Sequence, residues 1–155
     1  MSCYAAALRI LGYRFNSVAE LRRKLQAKRF EPEVIEETIE RLRGEKWLDD
    51  ERFAGAFARS RARKKIGPRR IERELVAAGV DRHTARQAVT ENAGDEREAL
   101  IALCQKRSRL LIRRYGPEYL DTAEGRKKLA GYLLNQGYDA ALVQSVVKEL
   151  PVVDD

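Results

Sequence analysis

Histidine is almost missing from this chain. His83 is the only one in 155 residues, so neither a His-rich metal site nor a two-histidine mechanism is available. It falls two residues after Asp81 and is assigned to the surface. Cysteine is scarcely more frequent. Cys3 and Cys104 lie far apart without C-x-x-C spacing, so they build no disulfide framework, and a reduced, cytosolic setting is expected. Cys104 shares an apolar helical face with Leu100 and Leu103 and is assigned to the core. No apolar run approaches the roughly 20 residues needed to span a bilayer. The opening run MSCYAAALRIL is too short and too poorly flanked for a signal peptide. Phosphate-cradling glycine loops are absent as well. Asp49-Asp50 could ligate a metal, but no third ligand accompanies them, and helix capping explains them more simply. These absences speak against an enzyme, a metal or a cofactor. Aromatics are few. Phe53 and Phe57, one turn apart, are assigned to the core, and Trp47 to packing at a junction. Tyr115, Tyr119 and Tyr132 are left as residues able to touch a partner or stack on bases.

What is present favours helix. Only four prolines occur, while Leu, Ala, Glu, Lys and Arg dominate, and these side chains lose little freedom in a helix. A hydrophobic share of 44% can build a core, and a charged share of 35% makes the surface strongly ionic. The net charge of +7 suits phosphates or an acidic protein partner without choosing between them.

One apolar spacing occurs three times. Leu21, Leu25, Phe30, Ile35 and Ile39 align with Ile71, Leu75, Val80, Ala85 and Val89, and again with Leu129, Leu133, Tyr138, Val143 and Val147. The steps are 4, 5, 5 and 4 in every copy, and the copies lie 50 and then 58 residues apart. Each four-residue step keeps two side chains on one helical face, and the phase breaks between the pairs. Gly79 and Gly137 stand at that break, where a helix end needs a left-handed residue. Asp81 and Asp139 follow as N-caps. In the first copy Glu31 is a weaker cap and Pro32 fits the first helical position. Phe30 with Ile35, Val80 with Ala85 and Tyr138 with Val143 are placed as hydrophobic staples.

A further helix precedes each pair. The first runs from about Tyr4 to Leu11 and stops at Gly12; the second starts near Asp49 and stops before Gly67-Pro68; the third starts near Asp95 and stops before Gly116-Pro117. Ser17 to Glu20 reads as a capping box, and Asp95 with Glu98 resembles one. The expectation is an all-α chain of about nine helices in three tandem three-helix, helix-turn-helix-like repeats, elongated and slightly curved. The repeats span 1–48, 49–94 and 95–155, the last with a frayed C-terminal tail. No coiled-coil seam suggests a dimer, so a monomer is expected.

Charge is uneven along the chain. Arg59, Arg61, Arg63, Lys64, Lys65, Arg69, Arg70 and Arg73 are accompanied by a single acid, Glu72. Lys106, Arg107, Arg109, Arg113 and Arg114 have none among them. Cations offset the dipole at a helix C-terminus, but that effect fades within a turn, and these clusters are denser than it requires. They are the candidate partner-binding residues. By contrast, the segment from Glu31 to Glu51 is acidic, with Glu33, Glu36, Glu37 and Glu40 on one helix.

The stretch from Leu48 to Ala54 (LDDERFA), then Arg59, then Lys65 to Ile71 (KIGPRRI) with Glu74-Leu75, resembles the signature of the RecX regulatory family. Ser17 to Leu25 (SVAELRRKL) followed by Phe30 resembles that family's first module. The likeness runs from about Tyr4 to Leu150 and is densest from Ser17 to Leu75. Arg29 departs from it, since glycine is expected before Phe30. The resemblance implies tandem three-helix repeats. It also implies a protein that binds the RecA filament on DNA and suppresses ATP hydrolysis, strand exchange and co-protease activity, limiting filament extension. Such a protein acts in recombination, DNA repair and the SOS response. Weak, non-specific DNA affinity is compatible with that role. The competing expectation is a helix-turn-helix-like DNA-binding module acting independently of RecA, for which Arg82 and Arg86 would serve as readers.

Overall fold

The computed structural model describes residues 1–150. The frayed tail expected at the end of the third repeat lies outside them. Nine α-helices and one short 3-10 turn make up the described residues, with no strand. They are α1 (Cys3–Tyr13), α2 (Val18–Ala27), α3 (Pro32–Gly44), α4 (Asp50–Arg63), α5 (Pro68–Ala77), α6 (Arg82–Asn92), α7 (Glu96–Tyr115), α8 (Ala123–Asn135) and α9 (Ala140–Lys148). The 3-10 turn, Tyr119–Asp121, precedes α8.

Two compact units contain these helices. One holds Met1–Ala58 with Glu72–Glu91; the other holds Arg59–Ile71 with the chain from Asn92 onward. Helices α4 and α5 contribute to both.

In the first unit the α1–α3 core gathers Cys3, Ala6, Ala7, Val18, Leu21, Leu25, Ile35, Ile39, Leu42 and Leu48. Leu21, Leu25, Ile39 and Leu42 are wholly inaccessible, and burying such a side chain stabilises by about 1.5–3 kcal/mol. Phe53, Ala54, Leu75, Val80, Ala85 and Val89 are buried in the same unit. In the second unit Leu100, Leu103, Cys104, Leu111, Leu129, Leu133, Tyr138, Val143 and Val146 form the core. Of the fifteen aligned repeat positions, only Phe30 and Val147 remain half-buried.

The caps fall where side chains can accept orphan N–H groups. Ser17 and Glu20 make both bonds of a capping box. Asp81 accepts from Thr84 N–H, Asp95 from Glu98 N–H and Asp139 from Leu142 N–H. The box at Asp95 is therefore only half made. Asp49 accepts from the N–H groups of Glu51 and Arg52, while Asp50 accepts from Val18 N–H and caps α2 instead. Glu31 makes no side-chain cap, and Pro32 opens α3.

Three local expectations need correction. Gly12 does not stop α1, which runs on to Tyr13. The helix ends at Arg14, which is extended and whose carbonyl accepts from the Asn16 amide. Phe57 is half-buried rather than core and stacks on Phe53 with ring centroids 5.9 Å apart. Trp47 is 54% exposed: the chain turns at Lys46, and Leu48 rather than its neighbour enters the core.

Four helices end in a Schellman arrangement, in which a left-handed residue lets two N–H groups reach back to the last carbonyls. At the end of α5, Gly79 N–H donates to Val76 O and Val80 N–H to Leu75 O. The same pairings occur after α2, α3 and α4, where the left-handed residues are Arg29, Lys46 and Lys65, with φ of 65°, 63° and 63°. A left-handed non-glycine residue is strained by roughly 1 kcal/mol. Replacing Arg29 by glycine is therefore expected to raise stability by about 0.5–1 kcal/mol, read as a higher urea midpoint at unchanged m-value.

Candidate partner-binding surfaces

Each unit contains one junction of the same design. In the first, the start of α2 meets the turn after α5: the Ser17 hydroxyl donates to Ala78 O, and a Cβ on Gly79 would collide with Ala19. In the second, the start of α5 meets the turn after α8. Gly67 N–H donates to Gln136 O at 2.7 Å and Arg69 N–H to Gly137 O at 3.1 Å. A Cβ on Gly67 would stand 2.7 Å from Tyr138 N and nearer still to the Gly137 carbonyl. Ser17 and Gly67 occupy equivalent repeat positions, as do Gly79 and Gly137. Glycine is thus required where the start of another helix presses on the turn. Arg29, at the matching position of the first copy, bears only the dihedral strain.

The second junction also engages side chains. Tyr138 donates to Lys65 O at 2.8 Å. Burial, with Glu96 adding to it, pushes the Tyr138 phenol up to about 12. A folded-state value above the ordinary one near 10 stabilises fully below pH 10 and is lost as pH rises toward 12, because the unfolded chain ionises first. Stability is therefore expected to fall between pH 10 and 12, and Tyr138→Phe to remove that part of the slope, measured by urea unfolding across the interval.

This architecture sorts the thirteen candidate cations. Arg59 bonds to Asn92 Oδ1 at 3.0 Å. Arg69 pairs with Asp139, and Arg70 donates to Asn135 O at the docked turn. Arg61 is half-buried. Arg63 and Lys64 are exposed and form no ion pair among the described residues. Lys65 shares a cleft wall with Asp95, Glu96 and Glu98. Arg73, exposed on α5, falls in the other unit.

On α7, Lys106, Arg109 and Arg113 are exposed along one face at helical spacing. Arg107 lies 4.3 Å above the Tyr132 ring and Arg114 5.4 Å from the Tyr115 ring. Sequence reasoning missed Lys127 and Lys128, exposed at the start of α8, because they lie beyond the Gly116-Pro117 break that closed the α7 cluster.

The other candidates for chemistry are quickly placed. His83 is exposed. Both cysteines are buried and free, and burial pushes the Cys104 thiol up, away from the reactive thiolate. Among the described residues no group of three His, Cys, Asp or Glu is placed to hold a metal, and no helix is long and apolar enough to cross a membrane.

Fold and surface together describe a protein of tandem three-helix elements whose conspicuous chemistry is exposed positive charge. Residues 3–42 match the family description "RecX, first three-helix domain", and residues 49–89 match "RecX, second three-helix domain". A regulatory protein RecX of Xanthomonas campestris pv. campestris (strain B100) is 38% identical over 133 residues, covering 86% of this chain and 78% of the relative. One from Serratia proteamaculans (strain 568) is 30% identical, covering 92% and 94%. The crystal structure of RecX from Lactobacillus salivarius superposes with a TM-score of 0.80 at 24% identity, over 97% of this chain and 96% of that one. The chain belongs to the RecX family of regulatory proteins.

Proposed function

We propose that this protein is a negative regulator of the RecA recombinase. In this reading it binds the RecA–DNA filament and suppresses its ATPase, strand-exchange and co-protease activities, limiting filament extension. It does so as a cytosolic monomer without cofactor or catalysis of its own, in recombination, DNA repair and the SOS response. The observation that carries the reading is family membership across both three-helix matches.

Physical chemistry supplies a route. The segments 1–48, 49–94 and 95–155 act as three modules on one chain, so that weak contacts to neighbouring filament subunits combine through high effective concentration. Inhibition follows if the modules bind the inactive or dissociating filament more tightly than the active one. Among the thirteen cations, Arg63, Lys64, Lys106, Arg109 and Arg113 are the best placed to meet a partner. They are exposed and form no ion pair among the described residues, whereas Arg69 and Arg70 hold the junction. Contacts of this kind weaken with salt.

The independent helix-turn-helix reading is less favoured. It would use α6, yet Arg86 on that helix is taken up by Glu72 at 3.4 Å. Binding distinguishes the two. The protein should associate with RecA assembled on a single strand and select no particular duplex sequence. Selection of one duplex sequence without RecA association would replace this reading with the second.

A further inference from the structure

From the surface where the end of α7 meets the start of α8, we infer that the chain carries its own docking site for single-stranded nucleic acid, with Tyr115 as the base-stacking platform. Tyr115 ends α7 with 43% of its surface exposed. Its ring lies on that of Tyr119, centroids 4.4 Å apart and planes inclined by 26°. The Lys128 ammonium donates to the phenol oxygen at 2.8 Å and stands 4.7 Å from the ring centroid. A partly exposed ring is thus held still by Tyr119 and Lys128, with the Arg114 guanidinium 5.4 Å from its centroid. That lowers the entropy lost when a second planar group stacks on it.

The surroundings supply the charge. Lys106, Arg109 and Arg113 form an exposed stripe along α7, Lys127 stands exposed on α8, and none is in an ion pair among the described residues. Leu110, 47% exposed, lies within the stripe and offers apolar surface to a sugar or base. Glu124 opposes this field at the phenol, but Lys128 and Arg114 outweigh it: the Lys128 hydrogen bond, with both cations behind it, holds Tyr115 below its ordinary range. Unpaired cations beside an immobilised aromatic face match a strand whose phosphates and bases are both accessible. A duplex hides its base faces, and an acidic protein surface would leave the ring without a stacking partner.

The test needs no RecA, so its result is separate from that of the proposed function. Fluorescence anisotropy of a labelled 20-nucleotide oligo(dT) with the full chain measures affinity across a salt series. Tyr115→Ala should weaken binding about tenfold with the salt slope unchanged, and Tyr115→Phe should remain within about threefold of the parent. Arg113→Gln and Lys127→Gln should each reduce the slope of log K against log salt by about 0.7. Thermal melting of every variant establishes that each is folded. Parent-like affinity of Tyr115→Ala, or no oligonucleotide binding by the parent at low salt, overturns the site. So does a set of variants that keep oligonucleotide affinity and lose only binding to free RecA, which would make this surface a protein contact.

Discussion

Gly67→Ala is expected to lower the melting temperature by about 10 °C. The added carbon would meet three backbone atoms of Gly137 and Tyr138, and backbone cannot swing aside as a side-chain tip can. Relieving the clash means separating the start of α5 from the turn after α8. The Gly67–Gln136, Arg69–Gly137 and Tyr138–Lys65 hydrogen bonds then stretch together. Overpacking costs about 1–3 kcal/mol, and partial stretching of the three bonds about 1 kcal/mol more in all. A total near 3 kcal/mol in a chain of this size corresponds to about 10 °C. The control has the opposite sign. Gly131, inside α8, has nothing within 4 Å of the point where a methyl group would stand, so Gly131→Ala should raise stability by about 0.5–1 kcal/mol. Thermal melts of the two variants decide the matter, and equal losses would show that the close approach at Gly67 is unimportant.

Reversing charge at Arg63 and Lys64 together should raise the concentration needed for half-inhibition of RecA at least tenfold, with little change in melting temperature. Both side chains are exposed and form no ion pair among the described residues, so replacing them by glutamate breaks none there. Facing acidic groups or phosphates, each reversal removes one attraction and adds one repulsion, about 1 kcal/mol per site. Two sites make roughly 2 kcal/mol, about thirtyfold. The same reversal at Arg69 and Arg70 should also lower stability, because Arg69 is paired with Asp139 and Arg70 bonds to Asn135 O. Measuring melting temperature beside inhibition separates the two roles. Undiminished inhibition by the Arg63/Lys64 variant would remove this cluster from the interface.

The repeat is legible in the sequence because burial is periodic: a 4-5-5-4 spacing can be read without knowing what packs on it, and thirteen of those fifteen side chains are buried. The caps at Ser17, Asp81 and Asp139 are legible because they depend on residues three apart. What escapes depends on distant parts of the chain. KIGPRRI reads as a basic run, yet Gly67, Arg69 and Arg70 are largely committed to a turn some 70 residues further on. Lys46 and Lys65 give no sign of left-handed geometry, since glycine is the usual mark of it and an open turn tolerates a cation. The apolar character of Trp47 points to packing, and only the direction of the turn at Lys46 exposes it. The 3-10 turn at Tyr119–Asp121, whose backbone closes over Gly125, leaves no mark in the pattern, because three residues carry no periodicity.

The most direct measurement is ATP hydrolysis by the cognate RecA on single-stranded DNA, with the protein titrated in far below one molecule per RecA. Filament-level regulation predicts a steep loss of hydrolysis in that substoichiometric range. Unchanged hydrolysis, even with the protein in excess over RecA, would contradict it.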